Sequence, residues 1–592
     1  MKQAETKATP KAAPNKSKLI VDEIMSKVSE DYADMTNFMS AYNGWADLYR
    51  IKKPGLVKGE MAFSNPRLTE FHRAAETLAT MMYRMSTAQE PFFDTIAMEY
   101  EPSPDVLFDK LNAIEAAQRT QLEAMDFNAK LLRAYRSLVI FGTVFVEENY
   151  KLIGASPFGR QIPVTNFQPR SMLQVSFDRS ALDLDEADWI AVDDLYSPAG
   201  LMALARDADK LGQPWDKEEL DKAAKEKQDV KEINEHVRNR LVRNGYTSPE
   251  QMLSRKLLTY YRGKLDTLDD GLEYVAAVVN GRHLVRFHAN DFQHGLRNIR
   301  IAKWIDFELE PRGLGLGDLY AMKHREMDAN RRRTIDGAAF STYSMWKLLR
   351  GGGVDVNDLK IAPFNIVEMD DINALQPMQG DTAGPQIGLK LDEIQKQEFR
   401  AATGATDTLQ AIVTEATASE VSLAQNEAVR RISVVSEHAA NSLIRKHLRV
   451  QHYNNVQYIK EPINVNWNGN PKYVYPVDLQ LDVDFKLKIV TDKDFRPKRT
   501  ETLVQVLQIL TSIRNEHPEK YQISVLPIVM ELAKALGVPP SQIVKQISQV
   551  PQPTGVVSPQ GQGIPGQPPG VPGLEPSVAL NQTPVGPVLG SA

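Results

Sequence analysis

The 592-residue chain has no cysteine. That excludes a disulfide, a thiolate nucleophile and a zinc–thiolate centre, and it fits a reducing compartment. No apolar run approaches the roughly 18 residues needed to span a bilayer. The N-terminal stretch lacks the apolar core of a signal peptide, so synthesis in a cytoplasm is expected, with no membrane partner. An excess of basic charge is also missing: 70 Lys and Arg stand against 76 Asp and Glu, a formal net charge of -6. Proteins that grip nucleic acid are usually basic, because counterion release from phosphates drives that binding. The acidic balance argues against a conventional DNA binder. It leaves room for a protein past which DNA moves without being held.

What is present is ordinary globular material, 42 % hydrophobic and 25 % charged, enough for a large core. The length suggests three or four packed units. Residues 1–17, mostly Lys, Ala, Thr and Pro, read as a disordered arm. Leu68, Phe71, Ala75, Leu78, Met82 and Met85 recur every three or four residues, the stripe of a helix packed on a core. "LLRAYRSLVIFGTVFVEENYKL" (131–152) begins with helical spacing and turns β-branched, with Gly142 where the period changes. It reads as a helix delivering a buried strand. Short strands and turns follow over 163–195.

The densely charged residues 216–243 keep a sparse stripe, Leu220, Ala223, Val230, Ile233, Val237 and Leu241, expected of an exposed helix with one buried edge. "KLLTYYRG", "EYVAAVV", "HLVRF" and "IRIAKWIDFELE", within 256–309, read as four strands of a compact β unit. A helix is expected from about Asp318 to Ala339, irregular chain over 340–390, and a helix near 388–402. "GATDTLQAIVTEA" (404–416) interrupts. Thr417 and Glu420 then form a capping box ahead of a stripe from Val421 to Leu443. That helix should run about 30 residues, or roughly 45 Å. Strict alternation from Leu479 to Ile489 marks a half-buried strand. Amphipathic helices fill 498–547, and the Pro- and Gly-rich tail after Pro551 cannot form a core.

Catalytic chemistry finds little support. Gly313, Gly315 and Gly317 resemble a phosphate loop only in part: the Lys-Ser or Lys-Thr pair is missing, and Asp318 would repel a phosphate. The spacing is also wrong for a dinucleotide fingerprint. A tight turn into a helix, with Asp318 favouring the helix dipole, accounts for the same residues. Asp478, Asp482 and Asp484 suggest a metal only weakly, because polar residues belong opposite the apolar face of a strand. His288, His294, His324, His447 and His452 lack metal-ligand spacing and read as surface or capping residues.

The helix at 318–340 is unusually polar. It carries Lys323, Arg325, Glu326, Asp328, Arg331, Arg332, Arg333 and Asp336, with Leu319, Met322, Met327 and Ile335 as its large apolar residues. A helix this polar must solvate itself, bridge domains, or pack against copies of itself. Interleaved acids make the arginines a weak nucleic-acid patch.

The order of these features resembles the portal proteins of tailed bacteriophages, particularly short-tailed ones. "LVIFGTVFVEENY" looks like the family's buried glycine-containing strand. "FELEPRGLGLGDLYAMKHREMDANRRRTID" is similar to its Gly-rich turn and following helix. "EFRAATGATDTLQAIVTEATASEVSLAQNEAVRR" resembles its helix, interrupted loop and Thr-Ala-x-Glu helix start. "VLQILTSIRNEHPEKYQISVLPIVMELAKALGVP" looks like its C-terminal helical region. These stretches span about residues 60–550.

The resemblance implies an α+β subunit with an α/β wing, a helical stem, a small β-rich clip and an α-helical crown. It implies a ring, usually of twelve copies, at one vertex of the virion. DNA would be packaged and ejected through its channel. Carried over, 18–225 is the first part of the wing, 226–255 a possible first stem helix, 256–309 the clip and 310–340 a stem helix. Residues 341–497 complete the wing, with a DNA-facing tunnel loop near 404–416, and 498–550 form the crown ahead of the 551–592 tail. The expected channel residues are Thr406, Asp407, Thr408 and Gln410. Inter-subunit charge pairs are expected among Lys323, Arg325, Glu326, Asp328, Arg331, Arg332 and Asp336. Implied partners are the chain itself, major capsid and scaffolding proteins, the terminase large subunit, tail adaptor proteins and double-stranded DNA. No enzymatic activity, metal or cofactor is expected. Another virion structural protein, or a nuclease or NTPase of the packaging machine, is the alternative.

Overall fold

The computed structural model describes residues 14–52, 64–89, 91–99, 104–154, 161–181, 184–210, 215–226, 233–290, 292, 294–308, 311–342, 346–349, 373, 375–377, 383–404, 432–467 and 470–489. The expected tunnel-loop residues, the capping box at 417–420, the crown and the tail lie outside them, as does the arm up to residue 13. Residues 14–17 of the expected arm are already helical. Helix α1 (Pro14–Tyr49) is 36 residues long. Its first half buries Ile20, Ile24 and Val28 on one hydrophobic cluster, and its second half buries Met35, Met39, Tyr42 and Trp45 in the main one.

The main core forms where helices meet a short sheet. Helix α2 (Glu70–Thr87) buries Phe71, Ala75, Leu78, Met82 and Met85, the stripe read from the sequence. Each large side chain so buried contributes about 1.5–3 kcal/mol of transfer free energy. Strand β1 (Phe93–Ala97) and helix α3 (Pro104–Ala124) follow. Helix α4 (Phe127–Phe141) ends on Gly142, at φ 72°, and strand β2 (Thr143–Gly154) starts at once. Glycine takes that left-handed conformation without a Cβ penalty. β2 lies between β3 (Gln161–Arg170) and β9 (Ile299–Lys303), antiparallel to both.

A second, five-stranded antiparallel sheet runs β4 (Val175–Phe177), β5 (Trp189–Tyr196), β6 (Lys256–Gly263), β7 (Tyr274–Val279) and β8 (His283–Ala289) in that order. Helices α5 (Pro198–Lys210), α6 (Lys217–Lys225), α7 (Glu235–Arg243) and α8 (Pro249–Leu253) connect β5 to β6. Helix α9 (Leu316–Thr342), strands β10 (Trp346–Leu348) and β11 (Leu375–Pro377), and helix α10 (Ala383–Thr403) come next. Helical residues 432–440 pass through a π turn, Asn441–Arg445, into α11 (Lys446–Tyr458). The hairpin β12 (Ile463–Trp467) and β13 (Asn470–Val474) follows, and β14 (Val483–Leu487) pairs with β1.

Two expected elements change. The charged stretch 216–243 is not one helix: α6 and α7 are nine residues each, and their apolar residues enter different clusters. Among the described residues of 226–255 the longest helix is α7, at nine residues. The four strands of 256–309 form, but not as a separate unit. β6, β7 and β8 share a sheet with β4 and β5, while β9 leaves to pair with β2. Backbone groups on β6 and β9 find their partners in strands far away in sequence, so this segment shares its sheets with residues 143–196.

Charges are buried in these sheets, and each has a partner. Glu147 on β2 accepts from Arg170 Nε at 2.7 Å, and Arg170 grips Asp194 through both terminal nitrogens at 2.6 Å. The neighbouring Glu148 faces the other way, where Arg300 and His447 hold it. His447, fully buried between Phe127 and Phe167, has its pKa driven down by burial against the pull of Glu148. His324 and His452 are buried too, at 0 % and 1 % exposed. These three are core histidines rather than surface ones. Asp484 is bound by Arg445, and Asp478 accepts from the backbone N–H of Tyr475 at 2.9 Å. Both carboxylates thus have structural roles.

Candidate functional site

The glycine-rich turn is a close-packing device. A Cβ on Gly315 would overlap the backbone of Gly142, and one on Gly313 would lie 2.7 Å from the Gly142 oxygen. One on Gly317 would run into the Trp45 ring. The turn can therefore press against the α4–β2 corner only as glycine. Asp318 Oδ2 accepts from Gly315 N at 2.9 Å, which satisfies a donor at the start of α9. The tight-turn reading, with Asp318 near the helix start, accounts for the stretch.

α9 leaves this corner as one half of an antiparallel pair with α10. The contacts set the register: Tyr320 donates to Ala402 O at 2.9 Å and Lys323 to Glu398 at 2.8 Å. Further along, Arg331 reaches Asp392 at 3.4 Å and Asn330 donates to Gly388 O at 3.3 Å. A Cβ on Gly388 would overlap Thr334, so the helices touch closely there. α10 stops where Gly404 takes φ 72°. Between the two helices, β10 and β11 pair in a short antiparallel ladder. We call α9, α10 and this ladder the arm.

The polar side chains of α9 are used within the chain. Asp328, 4 % exposed, accepts from Arg67 Nη1 and from Leu68 N, both at 2.8 Å. Asp336 accepts from Ser64 N at 2.9 Å, and Arg332 donates to Asn65 at 3.3 Å. The stretch 64–68 crosses α9 before α2 begins, and its free N–H groups need those carboxylates. Asp392 binds Lys396 at 2.8 Å as well as Arg331, and Arg400 on α10 binds Glu70 at 3.2 Å. Glu398 holds the Lys323 pKa above its ordinary value, chiefly through their hydrogen bond. The composition of α9 predicts a helix that solvates itself, bridges domains or packs against copies of itself. The fold corrects this: Leu316, Ala321, His324, Met327, Asp328 and Thr334 are all buried. Asp328 is bonded within its own chain, to Arg67 and Leu68. Arg325 and Glu326 remain exposed on the opposite face. Thr406, Asp407, Thr408 and Gln410 lie outside the described residues.

Sequence reasoning missed the pairing of α9 with α10 and the outward face of α10. For the outward face a signal was available: Ile387, Leu391 and Ile394 recur at four- and three-residue steps.

Bonds of this kind join helix to helix and helix to core, and they define a structural subunit of mixed helix and sheet. Residues 159–562, more than half of the chain, match the family described as Phage SU10 portal protein. The chain belongs to that family and is a phage portal protein, a structural component of the virion. Portal proteins assemble as oligomeric rings that engage capsid, terminase and tail components. No curated protein matches the chain. Among the described residues no helix is long and apolar enough to cross a membrane.

Proposed function

We propose that twelve copies close into a ring whose channel carries double-stranded DNA during packaging and ejection. The arm supports this reading most. An antiparallel helix pair that leaves the core and ends in a small β ladder has the order helix, clip, helix implied by the resemblance. On this reading α9 and α10 are the two stem helices, and residues 343–382 between them are the clip, in place of 226–255 and 256–309. The sheets and helices on either side of the arm in sequence form the wing. The tunnel loop falls within 405–431, and 498–550 form the crown.

The clip would dock the terminase large subunit and later the tail adaptor proteins, while the wing would meet the major capsid and scaffolding proteins. The chain is made in the host cytoplasm and performs no catalysis of its own. An acidic conduit suits this work, because a channel that neutralised many phosphates would hold DNA and slow its passage.

Negative-stain images of the purified chain test the reading. Axial views with a central hole and about twelve-fold symmetry are expected. Solid particles or a shell lattice would favour another virion structural protein. A DNA-stimulated nuclease or ATPase activity that copurifies with the chain would favour the packaging-enzyme alternative.

A further inference from the structure

Helix α10 turns a mixed side inward. Its buried residues are Asp392, Phe399 and Thr403. Of its exposed aliphatic residues, Leu389 lies apart, and three fall together: Ile387 is 65 % exposed, Leu391 42 % and Ile394 52 %. Their spacing puts all three on one stripe. α9 has an outward stripe of its own, with Met322, 66 % exposed, then Glu326, Ala329 and Arg333. A groove of about 460 Å³ runs between the helices, with Arg333, Gly337, Ile387 and Leu391 in its walls. The exposed surface of these three residues is on the order of 300 Å², comparable to the largest patch on a typical monomer.

We infer that the Ile387–Leu391–Ile394 face of α10 is covered by a second copy of this chain, and that it meets the outward α9 stripe of that copy. This rests on the ring reading above and adds which surfaces close the ring. The two stripes differ, so the contact is heterologous: each copy offers α10 to one neighbour and α9 to the other. The charges agree with it. Exposed Lys390 and Glu393 lie on the same side of the α10 stripe and Arg333 ends the α9 stripe, and neither Glu393 nor Arg333 has an ion-pair partner among the described residues. The Arg331–Asp392 and Asn330–Gly388 contacts place Glu393 and Arg333 roughly one to two helical turns apart along the arm. Neighbouring arms related by rotation about a common axis bring such groups to similar levels. DNA is the poorer occupant, because three aliphatic side chains offer a phosphate backbone nothing.

The absence of cysteine makes the test clean. The full chain carrying both Ala329→Cys and Ile394→Cys, treated with a short bismaleimide, should give a ladder of dimers, trimers and higher species. Either substitution alone should give no ladder. A maleimide should label Leu391→Cys at least tenfold more slowly in rings than in dissociated subunits. Leu272→Cys, at a position 54 % exposed before β7, should label equally in both. Rings that form without a ladder, and with Leu391→Cys fully reactive, overturn the inference and leave the ring reading standing. Protection that needs added DNA overturns it too and assigns the face to the channel. A ladder that stops at dimers contradicts the heterologous contact. Failure of the unsubstituted chain to form rings removes both readings.

Discussion

Asp328 and Gly315 show how single residues hold the arm to the core. Asp328 is buried with Arg67 as its ionic partner and the Leu68 N–H as a second donor. Removing one member of a buried pair strands the other, at a cost of about 3–5 kcal/mol. Asp328→Ala should therefore lower unfolding stability by that amount in denaturant titrations. Lys323→Ala, which breaks a more exposed pair with Glu398, should cost under ~1 kcal/mol. Two glycines make a second contrast. Gly315→Ala drives a methyl into the Gly142 backbone and should cost about 1–3 kcal/mol or more. At Gly337 a Cβ would sit 3.4 Å from Pro385 Cγ, an ordinary contact. Gly337→Ala should be neutral or stabilise α9 by up to ~1 kcal/mol. Thermal melts of the two variants should move by clearly different amounts.

Elements were legible in the sequence where a single local pattern decided them. The α4–Gly142–β2 corner combines a helical stripe, a glycine and a β-branched run, and it folds as read. The alternation of Val483, Phe485 and Leu487 is a strand, although Leu479 belongs to a short 3-10 turn before it. Elements decided by distant partners were not legible. α6 and α7 share one stripe in sequence yet pack on different cores. β9 looked like the fourth strand of its neighbours, but β2 offered it a better ladder. α9 looked incomplete because its partners, the 64–68 stretch and α10, carry no periodic mark that points to it. For the arm itself, Asp392 at the crossing of α9 and α10 serves both Lys396 and Arg331. Asp392→Ala should loosen the arm more than the core. Hydrogen exchange is expected to rise in α9 and α10 with little change in α4.

At the scale of the whole molecule, buried histidines set the response to acid. His236, His294, His447 and His452 all have pKa values below the ordinary one, with burial as the leading cause. The unfolded chain takes up these protons near pH 6.5, the folded chain only at lower pH. The stability they contribute is complete above about pH 6.5 and is lost as the pH falls through the folded values. Carboxylates add a lower window: hydrogen bonds from Lys27 and Thr267 outweigh burial and hold Glu23 at about 2. Denaturant midpoints should therefore decline from about pH 6.5 downward, and a midpoint unchanged between pH 7.5 and 5 would contradict the assignment. Assembly is the larger property. An arm that completes its polar bonds within the subunit and turns its aliphatic side outward must find that side a neighbour. Sedimentation of the full chain over a hundredfold range of concentration measures this most directly. The account predicts one large species, a whole multiple of the subunit mass, and its loss in Leu391→Glu. A single-subunit species at every concentration would contradict it.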